Sequence, residues 1–308
     1  MENVAFVFPG QGSQALGMLA ELAQSYAVVG QTFAEASDVL GYDLWALVQQ
    51  GPVESLNETD KTQPALLAAS VAIWRAYVAS GKPMPAMLAG HSLGEYSALV
   101  CAGVIGFKDA IKLVELRGQL MQQAVPAGTG AMYAIIGLDN DTIAKTCVEA
   151  AQGEVVSPVN FNSPGQVVIA GQKGAVERAA VACKAAGAKM TVALPVSVPS
   201  HCALMKPAAD KLAIALNDIK FNAPNIVVIN NVDVASPAAA DEIKDALVRQ
   251  LYCPVRWSET VELMAQKGIT HLIECGPGKV LTGLTKRINK SLSAQAVNDV
   301  ASLVALTE

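Results

Sequence analysis

The chain is 308 residues long, 52% hydrophobic and 16% charged, enough apolar material for one large domain or one domain carrying an insertion. Its formal net charge of −5 leaves no basic excess to neutralise phosphates, which argues against nucleic acid as a main partner; an acidic partner would have to meet a local basic patch. Six scattered cysteines with no C-x-x-C pair suggest neither a zinc site nor a disulfide framework, the start (MENVAFVFPG) shows no basic n-region of a signal peptide, and apolar runs break before membrane-spanning length, so a cytoplasmic protein is expected.

Val4–Phe8 is a short buried-strand candidate that runs into PGQGSQ. Such a glycine loop can bring a backbone amide close to a substrate, with Gln11 the obvious donor; a phosphate loop is the competing reading, although no G-x-x-x-x-G-K-[ST] pattern follows. Helical spacing crosses 31–50 and 62–80. Met87–Ala89 then leads into GHSLG, and 92–103 reads as a helix, the strand–turn–helix arrangement of a nucleophile elbow at Ser92. A chance glycine turn is the plain alternative in a chain with 24 glycines. At the start of that helix backbone N–H groups favour developing negative charge, and Leu93 N–H is the natural first oxyanion donor.

The next helix, Phe107–Gln123, carries Phe107, Ala110, Ile111, Val114, Gly118 and Met121 on one stripe, and Arg117 falls on that stripe instead of the polar face. If buried, its fixed charge demands a carboxylate partner, which a planar guanidinium binds bidentately; a snorkelling stem or a structural ion pair is the alternative. After Pro126 the pattern changes. Strands at Ala131–Ile136, Val155–Phe161, Gln166–Ala170 and Lys189–Val196 alternate with helices at 139–151 and 173–186. That order, βαββαβ, is a ferredoxin-like unit complete in itself. Strand–helix alternation returns with Ile226–Asn230, helices 241–251 and 258–267, and Ile269–Cys275 before GPG. The expected architecture is α/β: a large domain of residues 1–125 and 198–308 with a parallel sheet, a small domain of 126–197 inserted into it, and a cleft at their junction.

A serine nucleophile needs a base, and the chain has three histidines. His91 adjoins Ser92 at a turn where neighbours point apart, and His271 lies in a strand and reads as structural. His201, in the VSVPSHC loop after the last strand of the insertion, is the base by elimination. Asp109, Asp139 and Asp141 sit at helix starts, where N-capping explains them. A Ser–His dyad held by a backbone carbonyl is therefore at least as good a reading as a triad.

VFPGQGSQ, GHSLGEYSAL, the Arg117 helix, VSVPSHC and ECGPGKVLTGL together resemble the malonyl-CoA:acyl-carrier-protein transacylases of bacterial type II fatty-acid synthesis, from the first strand to about residue 290. The resemblance implies an α/β-hydrolase-like large domain with a ferredoxin-like insertion. It implies that Ser92 accepts the acyl group, His201 is its general acid/base, Gln11 and Leu93 supply the oxyanion amides, and Arg117 binds the malonyl carboxylate. Gln250, in VRQLYCPVRW, matches the position whose main-chain carbonyl orients the histidine, so its side chain would matter little. Asn160 and Asn162, beside the NSPG turn, are implied to face the cleft and contact thioester or pantetheine; turn-forming asparagines are the alternative. Also implied are malonyl-CoA and an acidic acyl carrier protein as partners, a CoA thioester as substrate, and no bound cofactor or metal. A monomer is expected, docking through a basic cluster for which Lys189, Lys286, Arg287 and Lys290 are candidates. An ester hydrolase would use the same serine, base and oxyanion hole, a non-catalytic carrier-binding module would form no adduct, and methylmalonyl transfer is a close rival.

Overall fold

The computed structural model describes residues 3–196 and 198–307. All five residues of Val4–Phe8 (β1) are buried, and strand alternation sends Phe6 and Phe8 into one core and Ala5 and Val7 into another. A strand buried on both faces belongs in the middle of a helix-covered sheet. The helices Ala20–Ser25 (α1), Ala27–Leu40 (α2), Leu44–Gln50 (α3), Val53–Leu56 (α4) and Thr59–Ala79 (α5) follow, then Met87–Gly90 (β2), Gly94–Cys101 (α6) and Phe107–Ala124 (α7). Next come Gly130–Ile136 (β3), Asn140–Ala151 (α8), Val156–Ser163 (β4), Gln166–Gln172 (β5), Lys173–Ala185 (α9) and Met190–Ala193 (β6). The chain closes with Lys206–Asn217 (α10), Val227–Ile229 (β7), Ala240–Gln250 (α11), Trp257–Gln266 (α12), His271–Cys275 (β8), Val280–Ile288 (α13), Ser293–Val297 (β9) and Val300–Thr307 (α14).

Two sheets result. One is five-stranded and wholly parallel, in the order β7-β2-β1-β8-β9; the other is four-stranded and antiparallel, β4-β5-β3-β6. The larger sheet is covered on one side by the big core that includes α2, α5 and α7, and on the other by residues of α12 and α13. The smaller sheet buries one face under α8 and α9. The two are tied at Val255, whose carbonyl accepts from Phe161 N–H (3.0 Å) while its own N–H donates to the Val159 carbonyl (2.8 Å).

The structure departs from the expectations at several elements. The helix expected over 31–50 is two, because Gly41 adopts φ 76° and Asp43 caps a fresh start, accepting from Ala46 N–H at 2.8 Å. The helix expected over 92–103 begins at Gly94, since Ser92 is held at φ 52°. Asp139 does cap α8, but Asp109 and Asp141 lie in first turns whose caps are Gly106 and Asp139. α10 and β9 had no counterpart in the sequence reading. The strand expected to reach Val196 ends at Ala193, two residues before Pro195, and residue 197, the expected end of the insertion, lies outside the described residues.

Candidate active site

The parallel sheet sets the site. β1 and β2 pair in register from Ala5↔Met87 to Phe8↔Gly90, so the PGQG loop and the Ser92 turn leave the sheet side by side at its carboxyl edge. The turn is tight enough that only glycine fits on either side of Ser92. A Cβ on Gly90 would stand 1.8 Å from the Gly94 carbonyl carbon, and one on Gly94 would stand 2.0 Å from the Phe8 carbonyl oxygen. Ser92 itself takes a left-handed conformation, which costs a non-glycine residue on the order of 1–3 kcal/mol and is retained where surrounding contacts over-determine it. Those contacts are visible: Asn231 Oδ1 accepts from Ser92 N–H at 2.8 Å, and Asn231 Nδ2 donates to the Gly90 carbonyl at 2.7 Å.

Ser92 Oγ lies 2.8 Å from His201 Nε2, across 109 residues of sequence. His201 is also left-handed, at φ 63°, and buried. Its Nδ1 lies 2.7 Å from the Gln250 main-chain carbonyl. A carbonyl only accepts, so Nδ1 carries the proton and Nε2 is left as the acceptor facing the serine hydroxyl. The third member of the constellation is therefore a backbone carbonyl, and among the described residues no carboxylate touches the imidazole. Burial, reinforced by the nearby Arg117 charge and opposed by the Gln250 carbonyl, lowers the His201 pKa from 6.5 to about 3.

Arg117 is 1% exposed, its Nη2 3.4 Å from Ser92 Oγ. The structural ion pair weighed as the alternative for Arg117 is not formed among the described residues. The guanidinium's partners are amide oxygens, Gln63 Oε1 on Nη1 at 2.8 Å and Gln250 Oε1 on Nη2 at 3.0 Å, and Nε has no partner among the described residues. Burial lowers the Arg117 pKa, while Tyr96, whose ring lies 5.3 Å from Cζ, and Glu95 pull it the other way. The view that the Gln250 side chain matters little is corrected: it is fully buried and joins Arg117, Glu95 and the Ser92 carbonyl.

Gln11, Leu93, Ser92, Arg117, Asn160 and His201 line one cavity of about 100 Å³, together with Gln63, His91, Met121, Met132, Leu194 and Ser200. The Gln11 and Leu93 amides donate to no acceptor among the described residues. Asn160 Oδ1 is buried without a partner among the described residues, whereas Asn162 Oδ1 lies 2.8 Å from His91 Nε2. The His91 ring stands 5.7 Å from Trp257, and His271 Nδ1 contacts Ser293 Oγ at the other end of the sheet. Lys189, Lys286, Arg287 and Lys290 are all exposed; Arg287 Nη1 also donates to Gln166 Oε1 at 3.0 Å, on the smaller sheet. Four contributors escaped the sequence reading: Gln63, Glu95, Asn231 and the Gln250 side chain. Only Glu95 carries a signal, as the single charge in the otherwise uncharged helix GEYSALVC.

The profile of the family described as acyl transferase domain matches residues 5–306. The sequence is 68% identical over 308 residues, the full length of both chains, to the malonyl CoA-acyl carrier protein transacylase of Escherichia coli (strain K12). It is 67% identical over 309 residues to that of Haemophilus influenzae, covering 100% of this chain and 99% of the relative. An acyl carrier protein S-malonyltransferase from Vibrio cholerae superposes with a TM-score of 0.97 at 75% identity, with 99% of each chain covered. A chain from a structure described as a type II PKS acyl-carrier protein in complex with its malonyl-transacylase gives a TM-score of 0.98 at 70% identity, with 98% of each chain covered.

Proposed function

The chain belongs to the acyl transferase domain family, and from that premise we propose that Ser92 and His201 carry the malonyl group of malonyl-CoA to the phosphopantetheine thiol of acyl carrier protein through a malonyl-serine ester. The overall reaction is that of its close relatives, and the chain is an acyltransferase of fatty-acid synthesis. Neutral His201 takes the Ser92 proton as Oγ attacks the thioester carbonyl, and the amides of Leu93 and Gln11 hold the resulting oxyanion. Collapse of the intermediate breaks the C–S bond, and the departing CoA sulfur receives the proton from His201. The carrier's thiol then gives its proton to His201, attacks the ester carbonyl, and the second collapse returns the proton to Ser92.

The observation that carries this reading is Arg117. A buried guanidinium whose hydrogen bonds among the described residues go to neutral oxygens alone retains its full charge, with Nη2 beside the nucleophile. In a malonyl thioester the carboxylate carbon lies only about 2.5 Å from the carbonyl carbon that Ser92 attacks, two C–C bonds away. A cation 3.4 Å from Oγ is therefore within reach of that carboxylate at the moment of attack. The malonyl carboxylate gives the guanidinium a counter-ion that an acetyl group lacks, an advantage of about 3 kcal/mol or roughly a hundredfold in rate. Arg117→Ala is expected to lower kcat/KM for malonyl-CoA about a hundredfold while leaving that for acetyl-CoA within threefold. A malonyl preference that survives the substitution contradicts the role.

Further parts of the reading rest on the same site. The large unit, residues 1–125 and 198–308, is α/β-hydrolase-like, and the βαββαβ segment 126–197 is a ferredoxin-like insertion; the antiparallel strand order β4-β5-β3-β6 supports this. Asn160 faces the substrate, and Asn162 holds His91. Lys286, Arg287 and Lys290, exposed where α13 packs against β4, form with Lys189 the basic surface for the acidic carrier. The enzyme acts as a cytoplasmic monomer without bound cofactor or metal. Among the described residues no helix is long and apolar enough to cross a membrane.

A further inference from the structure

One buried ionisable group near the site has no part in the chemistry above. Glu95 is 2% exposed, in the first turn of α6, and its Oε2 accepts from Gln250 Nε2 at 2.8 Å and from Asn231 N–H at 2.9 Å. We propose that Glu95 is a positioning residue for acid-bearing acyl groups: by accepting from the Gln250 amide nitrogen it turns the amide oxygen onto Arg117, and so holds the guanidinium in the orientation that receives the substrate carboxylate.

The argument is one of donors and acceptors. The Gln250 side chain has an accepting end and a donating end, and Arg117 can only donate. With the amide as found, Oε1 accepts from Arg117 Nη2 at 3.0 Å, while Nε2 spends its two protons on Glu95 Oε2 and on the Ser92 carbonyl at 3.1 Å. With the amide reversed, an oxygen would face the Glu95 carboxylate and an NH2 would face the guanidinium, two repulsive contacts in a buried place. Glu95 therefore decides which end Arg117 meets. Gln63 holds Nη1 in the same manner from the other side. Both holders are neutral, so the guanidinium is aimed without being neutralised. A carboxylate placed directly on Arg117 would compete with the substrate; one residue further back, it orients and does not compete.

Burial pushes the Glu95 carboxyl up to about 7, against the pull of Gln250, Asn231 and Arg117. The orientation does not depend on that proton. Both donors go to Oε2, and Oε1 receives no hydrogen bond from the described residues, so a proton on Oε1 leaves the Oε2 acceptor in place. What the site requires of residue 95 is an accepting oxygen, not a charge.

This inference rests on the reading of Arg117 as the malonyl anchor, and its test separates the two. Glu95→Met preserves bulk and removes the acceptor, while Glu95→Gln keeps an accepting oxygen for two donors. The readout is the ratio of kcat/KM for malonyl-CoA to that for acetyl-CoA, which does not change with the fraction of enzyme that is folded. Glu95→Met is expected to lower the ratio about tenfold, the effect of one hydrogen bond, chiefly through KM for malonyl-CoA. Glu95→Gln is expected to restore it to within threefold of the parent. If Glu95→Met does not fold, Glu95→Asp, which withdraws the acceptor by one methylene, takes its place with the same expected direction. A ratio unchanged in the Met or Asp variant, or lowered as much by Gln as by Met, overturns the proposal. Arg117→Ala, run alongside, reports on the anchor itself: if it leaves the ratio intact, the Arg117 reading fails, and if it abolishes the ratio while the Glu95 variants do not move it, only Glu95 is wrong.

Discussion

His201 must be neutral before Ser92 can hand over a proton, and two features of its surroundings favour that form. Burial disfavours the imidazolium, and the Arg117 charge repels it; the Gln250 carbonyl opposes both but does not outweigh them. The sign for pH dependence follows. Lowering the pH protonates the base and stops the reaction, and a depressed pKa moves that loss to lower pH. The acid limb of kcat/KM for malonyl-CoA, which reports on free enzyme, is therefore expected below pH 5, with activity flat through 6.5. A midpoint at 6.5 or above in a pH–rate profile contradicts this account of the imidazole. The same burial that keeps the base neutral makes Arg117 selective, because in water a single guanidinium–carboxylate contact would be worth far less.

At the scale of elements, the turn from β2 to α6 does most to place the nucleophile, and its geometry is fixed by close approach. Gly94→Ala puts a methyl against the Phe8 carbonyl of β1, and backbone cannot yield as a side chain can. The substitution is expected to destabilise the protein by about 3 kcal/mol or more and to abolish acylation. Gly30→Ala is its counterpart: exposed near the amino-terminal end of α2, the added Cβ meets nothing within 4 Å, so a gain of about 0.5–1 kcal/mol is expected from helix propensity. Urea midpoints of the two variants check both signs. The turn was readable in the sequence because its glycines and flanking periodicities are local signals. Gln63, Asn231 and Gln250 were not, because an amide on an apolar helix or at a strand end looks the same whether it holds a guanidinium or packs idly. The break at Gly41 was missed because the apolar spacing resumes in register beyond it.

Over the whole molecule, the site is made by the topology and not by any segment. Ser92 comes from the β2–α6 turn, His201 from the loop after β6, Gln250 from the end of α11, and Arg117 from the middle of α7. The alternation of strands and helices, and the switch to βαββαβ after Pro126, were legible because they are periodic patterns. That Ser92 and His201 meet was inferred from the scarcity of histidines; the 2.8 Å contact between them depends on two packed sheets and on the tie through Val255, which no local pattern encodes. The most direct test of this convergence is peptide mass mapping after brief mixing with malonyl-CoA. The account predicts one malonyl mass on the peptide containing Ser92, absent in Ser92→Ala and discharged only when a carrier-protein thiol is added. An unmodified Ser92 peptide, or a malonyl mass on another residue, would contradict it.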